Sequence, residues 1–213
     1  MPRQTRKASS TFVYHWIVRG VNKKSLFHWP ADYFHYLRLL EEYKRRFNIR
    51  VYHYCLMSNH THLILHSKDL ASLSSFSHYV QRCYAYFYKT RHKWEGQVFQ
   101  RSFRSFPVED DRYLLECGRY VERNPVQAGL AAKAEDYSYS SFAFYAFSKK
   151  DPIVDASPAY LGLSNSEATR NIVYSNYVNA NREHEQSIGQ QIAKLNSSLF
   201  ADFGRSPEVA TRT

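Results

Sequence analysis

Cysteine is scarce in this sequence: three in 213 residues (Cys55, Cys83 and Cys117), far apart and in no C-x-x-C arrangement. That excludes a zinc knuckle and a disulfide framework as organising devices, and it points to a reducing compartment. Also missing is any stretch of about 18 apolar residues that would span a bilayer. The opening Met-Pro-Arg-Gln-Thr-Arg-Lys is polar and leads into no apolar run of a signal peptide, so a cytoplasmic protein with no membrane association is expected. There is no internal repeat. Acidic charge is short as well, with Asp+Glu 19 against Lys+Arg 29 and a net charge of +10. The imbalance is local: residues 1–130 hold 21 basic and 10 acidic residues, residues 131–213 hold 8 and 9.

Hydrophobic residues are not lacking: at 44% they exclude wholesale disorder, and the length suits one domain or one domain with an appendage. Aromatic residues reach 16%, with 18 Tyr and 14 Phe. A basic region rich in flat side chains suits phosphates and unstacked bases, so nucleic acid leads as the partner class.

Hydrophobic periodicity orders the chain. Residues 11–19 alternate Phe12, Tyr14, Trp16, Val18 against Val13, His15, Ile17, Arg19, which predicts a strand closed by Gly20. Tyr36, Leu40, Tyr43 and Phe47 recur at helical spacing within residues 31–47. Residues 50–56 and 60–66 read as strands joined by the polar turn Met57-Ser58-Asn59. Leu73, Phe76, Val80, Cys83 and Phe87 make the stripe of a second helix over residues 69–91. Residues 97–108 read as a strand or extended segment, and a further helix is expected from Asp110 or Asp111 to just before Pro125.

The resulting order, β-α-β-β-α-β and then a helix, is that of a split βαβ motif. The fold class is therefore α+β: a ferredoxin-like antiparallel sheet with helices on one face and the other face free. Past about Pro152 the texture turns to Ser, Asn, Gln and Ala. Two helices are expected there, one from the capping box Ser164-Asn165-Ser166-Glu167 and one with Ile188, Ile192, Leu195 and Leu199 on a face. The organisation is then a basic flexible arm (1–10), a main domain (11–150) and a helical C-terminal appendage with a disordered tail (151–213).

Two segments carry chemistry. In Ser58-Asn59-His60-Thr61-His62-Leu63 the period of a strand sends His60 and His62 to one face, in reach of one ion. The same pair would also serve as surface or hydrogen-bonding histidines. In Arg119-Tyr120-Val121-Glu122-Arg123-Asn124-Pro125, Tyr120 and Asn124 lie four apart on one helix face. A phenol can act as a covalent nucleophile beside a metal that polarises a phosphoryl group. Equally, a Tyr on a helix commonly packs and an Asn before Pro commonly stops a helix.

Taken in order, Tyr14-His15-Trp16-Ile17-Val18-Arg19-Gly20, residues 57–65, residues 99–106, residues 119–130 and Asp136-Tyr137-Ser138-Tyr139-Ser140-Ser141 resemble the single-tyrosine HUH transposases. Within that family the likeness is strongest to the REP-associated tyrosine transposases of bacteria, over roughly residues 11–145. The resemblance implies that His60 and His62 are the metal-binding pair, with Thr61 in place of the usual hydrophobic residue. It implies Tyr120 as the nucleophile and Asn124 as the third ligand of a divalent ion, Mg²⁺ or Mn²⁺. The implied reaction is cleavage and rejoining of single-stranded DNA, in hairpin-forming or palindromic repeats, through a 5′-phosphotyrosine.

Arg19, Lys23, Lys24, Arg101 and Arg104 are candidates for DNA backbone contacts, or else solvated surface charge. The alternatives are another HUH endonuclease class, a non-cleaving single-stranded nucleic-acid-binding protein descended from a transposase, and a domesticated transposase with a structural role. Members of the family occur as monomers and as homodimers.

Overall fold

Alternating side chains and short polar turns fold the chain into one antiparallel sheet in the computed structural model, which describes residues 6–180. Its strands are β1 (Val13–Arg19), β2 (Arg50–Met57), β3 (His60–His66) and β4 (Arg104–Val108), in the order β2-β3-β1-β4. Helix α1 (Pro30–Arg46) joins β1 to β2 and α2 (Leu70–His92) joins β3 to β4, as the ferredoxin-like order requires. After β4 come α3 (Asp111–Gln127), α4 (Phe142–Phe147), α5 (Pro158–Leu161) and α6 (Glu167–Asn179). No helix among the described residues is long and apolar enough to cross a membrane.

The period of two separates packing from chemistry. Tyr14, Trp16 and Val18 of β1 and Leu63 and Leu65 of β3 join the core with α1 and α2. There Trp16 donates its indole N–H to Ser77 Oγ at 3.1 Å and stacks on Phe103. Thr61 points the same way, its hydroxyl 3.4 Å from Tyr36 Oη, so the polar residue between the two histidines is a satisfied core residue. His15, Ile17, His62 and Ile64 take the other face. That face, expected to be free, is covered over β2 and β3 by α3: Gly118 packs on the His53 ring so closely that a Cβ would lie 2.7 Å from Nε2.

Several boundaries differ from those read in the sequence. Of residues 97–108, read as a strand or extended segment, only Arg104–Val108 is strand: the β1–β4 pairing breaks after Ile17 and Arg104 although β1 runs on to Arg19. A Cβ on Gly20 would sit 2.2 Å from the carbonyl oxygen of Lys24. Residues 97–103 pass the end of β1 with a single bridge, Gly20 to Phe99. Residues 6–10 of the expected arm are tied to the domain: Arg6 lies 3.9 Å over the Phe103 ring, and Ser9 is buried with its N–H on Tyr14 Oη.

The compact unit also runs past the 150/151 boundary, to Asn179. Residues on both sides of that boundary meet the backbone groups at the edge of β2, and Asp155 is the one beyond it. Leu56 donates to the Tyr139 carbonyl, and the Tyr54 and Val51 carbonyls accept from Ser141 and Asp155. The helix expected from the Ser164–Glu167 box is α6, with Ser166 Oγ accepting from the Thr169 N–H. The expected helix with Ile188, Ile192, Leu195 and Leu199, and the tail, lie outside the described residues.

Helix α3 does not stop before Pro125. The proline removes the N–H that would meet the Val121 carbonyl, and the Asn124 side-chain amide reaches back to it (3.4 Å) and to the Tyr120 carbonyl (2.8 Å). The stop comes at Gly129, φ +68°, where Leu130 N–H donates to Pro125 O and Gly129 N–H to Val126 O. That pair of bonds is a Schellman closure.

One buried carboxylate pins α3 to the rest. Glu122 accepts from His53 Nδ1 (3.1 Å), Ser141 Oγ (2.6 Å) and Tyr174 Oη (2.8 Å), donors on β2, at the start of α4 and on α6. Removing the acceptor leaves these donors only long alternatives, Ser141 Oγ to the Tyr54 carbonyl and Tyr174 Oη to His53 Nδ1, each at 3.4 Å. Glu122→Leu is expected to cost about 3 kcal/mol or more, and Tyr174→Phe about 1 kcal/mol. Urea denaturation midpoints check this, and equal small losses for both variants would contradict it.

Candidate active site beneath helix α3

The site forms where α3 crosses the His60 end of the central strands. His60 and His62 are neighbours on one face of β3, with ring centroids 4.9 Å apart and planes at 80°. The Tyr120 ring lies edge-on to His62 at 5.8 Å and to His15 of β1 at 6.1 Å. The structure thus brings the expected pair and the expected nucleophile together. Asn124 sits one turn beyond Tyr120, its amide nitrogen committed to the helix carbonyls, so Oδ1 is the atom it has left to offer an ion.

Both histidines use Nδ1 within the protein. His60 Nδ1 lies 2.6 Å from Asn59 Oδ1, and His62 Nδ1 lies 2.9 Å from His15 Nε2. No described protein group is hydrogen bonded to Nε2 of either ring. Burial with no compensating anion keeps the three rings neutral. It pushes His15 down to about 3 and His60 to about 4, with Arg19 adding to the second, and it lowers His62 well below its usual range with help from His60, His15 and Arg19.

Neutral imidazoles with open Nε2 atoms are what a divalent ion binds. Among the described residues no three His, Cys, Asp or Glu side chains form a metal-binding group, so a third donor drawn from them would be an oxygen such as the Asn124 amide. The donor set fits a divalent cation.

The basic candidates gather around this end. Arg19 and Arg104 share the histidine face, opposite His60 and Ile17 in register. Lys23 and Lys24 are exposed on the loop after β1, which is stitched to the β2–β3 turn by Gly20 N–H to Asn59 O and Leu26 N–H to Ser58 O. Lys24 also sits 4.1 Å over Trp94. Arg101 is exposed next to Gln100, whose N–H bonds the Arg19 carbonyl.

Sequence reasoning assigned no role to His15, Asn59, His53 or Glu122. The alternation of the first strand places His15 on the same face as Ile17, yet only the β1–β3 register brings it diagonally onto His62.

A family model described as IS200-like transposase matches residues 8–124, a span that contains His60, His62, Tyr120 and Asn124. A Haemophilus influenzae protein named as a REP-associated tyrosine transposase is 29% identical over 98 residues, 41% of this chain and 56% of its own length. The chain thus spans little more than half of that curated relative. A solved structure of a REP-associated tyrosine transposase bound to a REP hairpin superposes with a TM-score of 0.58 at 16% identity, covering 74% of this chain and 93% of that one. At that identity the likeness is one of fold.

The depressed histidines set a pH dependence. A ring that titrates near 6.5 when unfolded and near 3 when folded contributes stability that is fully present above 6.5 and is lost as pH falls toward 3. The urea midpoint of the wild type is expected to drop between pH 6.5 and 4, and less steeply in His15→Gln. Parallel profiles for the two proteins would contradict this.

Proposed function

The chain belongs to the IS200-like transposase family, and from that membership we propose that it cleaves and rejoins single-stranded DNA with Tyr120 as the nucleophile. The observation that carries the reading is the Tyr120 ring edge-on to His62, with the His60–His62 pair beneath it. The solved relative with its REP hairpin supports hairpin-forming repeats as the substrate class.

His60 and His62 would hold a divalent ion through Nε2, with Asn124 Oδ1 as the oxygen donor. When bound, such an ion supplies Lewis-acid polarisation of the scissile phosphate. The Tyr120 phenol oxygen attacks the phosphorus in line, its proton leaves to solvent, and the bond to the 3′ oxygen breaks. The products are a 5′-phosphotyrosine and a free 3′-hydroxyl. Because the ester bond energy is kept in the adduct, a 3′-hydroxyl can attack it and release Tyr120, which is strand transfer rather than hydrolysis.

Arg19 and Arg104 line the same face and suit the phosphate being cut, while Lys23, Lys24 and Arg101 flank it along the backbone path. A mixed nitrogen and oxygen donor set discriminates poorly among divalent ions, so Mg²⁺ and Mn²⁺ are both served.

The test is a labelled hairpin from repeats flanking the gene, incubated with protein and Mn²⁺ and run on a denaturing gel. A covalent adduct is expected for the wild type, none for Tyr120→Phe or with EDTA, and a loss of about 100-fold for His62→Ala at limiting metal. An adduct that survives Tyr120→Phe would contradict the assignment. Tight hairpin binding with no adduct in any metal would identify a non-cleaving binding protein instead.

A further inference from the structure

The two histidines of the pair are each held from behind. Asn59 donates its amide N–H to the Lys23 carbonyl at 3.1 Å, which fixes the amide so that Oδ1 faces His60. An amide oxygen only accepts, so the His60 proton is on Nδ1 and its Nε2 carries a lone pair. His62 has no such unambiguous partner: its Nδ1 meets another imidazole nitrogen, His15 Nε2, at 2.9 Å, and either ring can be the donor. The choice has chemical consequences. If His15 donates, the His62 proton sits on Nε2 and that atom is blocked. If His15 accepts, His62 presents a lone pair on Nε2, as His60 does.

His15 is held for this contact. It projects from β1 opposite Ile64 and diagonal to His62, with Phe106 of β4 at 6.3 Å on one side and the Tyr120 ring edge-on at 6.1 Å on another. We propose that His15 is a positioning residue for the metal site: its Nε2 accepts the Nδ1 proton of His62, which fixes the tautomer and ring orientation that turn His62 Nε2 toward the ion. Asn59 does the same for His60. This rests on the metal reading given under the proposed function. Partners behind metal-binding histidines commonly set ligand orientation in this way.

The test uses side-chain reach. The end of a glutamine side chain occupies the place of histidine Nε2 and can accept there, asparagine ends about where Nδ1 lies, and leucine cannot accept at all. Mn²⁺ binding to the DNA-free protein, followed by electron paramagnetic resonance of the free ion, is compared for the wild type, His15→Gln, His15→Asn, His15→Leu and His62→Ala. His15→Gln is expected to stay close to wild type, and His15→Asn and His15→Leu to bind about 10–100-fold more weakly. Long-range proton–nitrogen spectra of the metal-free protein should show His62 protonated on Nδ1.

A proton on His62 Nε2 would overturn the proposal. So would unchanged Mn²⁺ affinity in His15→Leu while His62→Ala loses binding. If Mn²⁺ binding is instead indifferent to His62→Ala, the metal reading itself fails and takes the proposal with it, an outcome the His62→Ala arm tells apart from failure of the proposal alone. Hairpin affinity in EDTA should not follow the Mn²⁺ ranking, which separates a loss of ligand orientation from a general loss of structure.

Discussion

A carboxylate taken out of water needs donors around it, and Glu122 finds three, from β2, from the start of α4 and from α6. These three bonds tie three separate elements to the helix that bears Tyr120. Because those donors come from elements that are stiff in themselves, they fix both the rotation and the axial position of α3. A helix turned by one residue would move Tyr120 by about 100° and off the histidine face. The close seat of Gly118 on the His53 ring works in the same direction, since only a residue without Cβ lets the helix lie that near the sheet. The C-terminal segment up to Asn179 is therefore part of the mounting of Tyr120.

The sheet divides its labour by side-chain parity. One face is filled by aromatic and aliphatic residues packed on α1 and α2, with even Thr61 satisfied there by Tyr36. The other holds His15, His60, His62, Arg19 and Arg104, polar groups that are expensive to bury unless each has a partner. Asn59 and His15 meet this need at Nδ1 of the pair and leave the Nε2 atoms open. The same burial that lowers the histidine pKa values also keeps their lone pairs available at neutral pH.

Part of the site is legible in local sequence patterns. The period of two put His60 and His62 on a common face, and the four-residue spacing put Tyr120 and Asn124 on a common side of a helix. What failed were inferences about where elements end and what lies across from them. Pro125 was read as a stop because its lost hydrogen bond is a local fact, whereas its repair by the Asn124 amide and the later closure at Gly129 depend on the geometry of the turn. The contact of His15 with His62 needs a strand register, and the Glu122 cluster joins residues 19 to 69 positions apart in sequence. Neither leaves a periodic trace. Composition suggests a break near residue 150, but the edge of β2 takes one of its partners, Asp155 on the Val51 carbonyl, from beyond it.

The proposed function requires α3 to hold Tyr120 beside a divalent ion seated on His60 and His62. It is tested most directly by labelling the protein with meta-fluorotyrosine, assigning the Tyr120 fluorine signal by its loss in Tyr120→Phe, and adding Mn²⁺. The account predicts that this signal is broadened by the paramagnetic ion, recovers on adding EDTA, and is left untouched by Mn²⁺ in His62→Ala. A Tyr120 signal that stays sharp while Mn²⁺ is bound at His62 would contradict it.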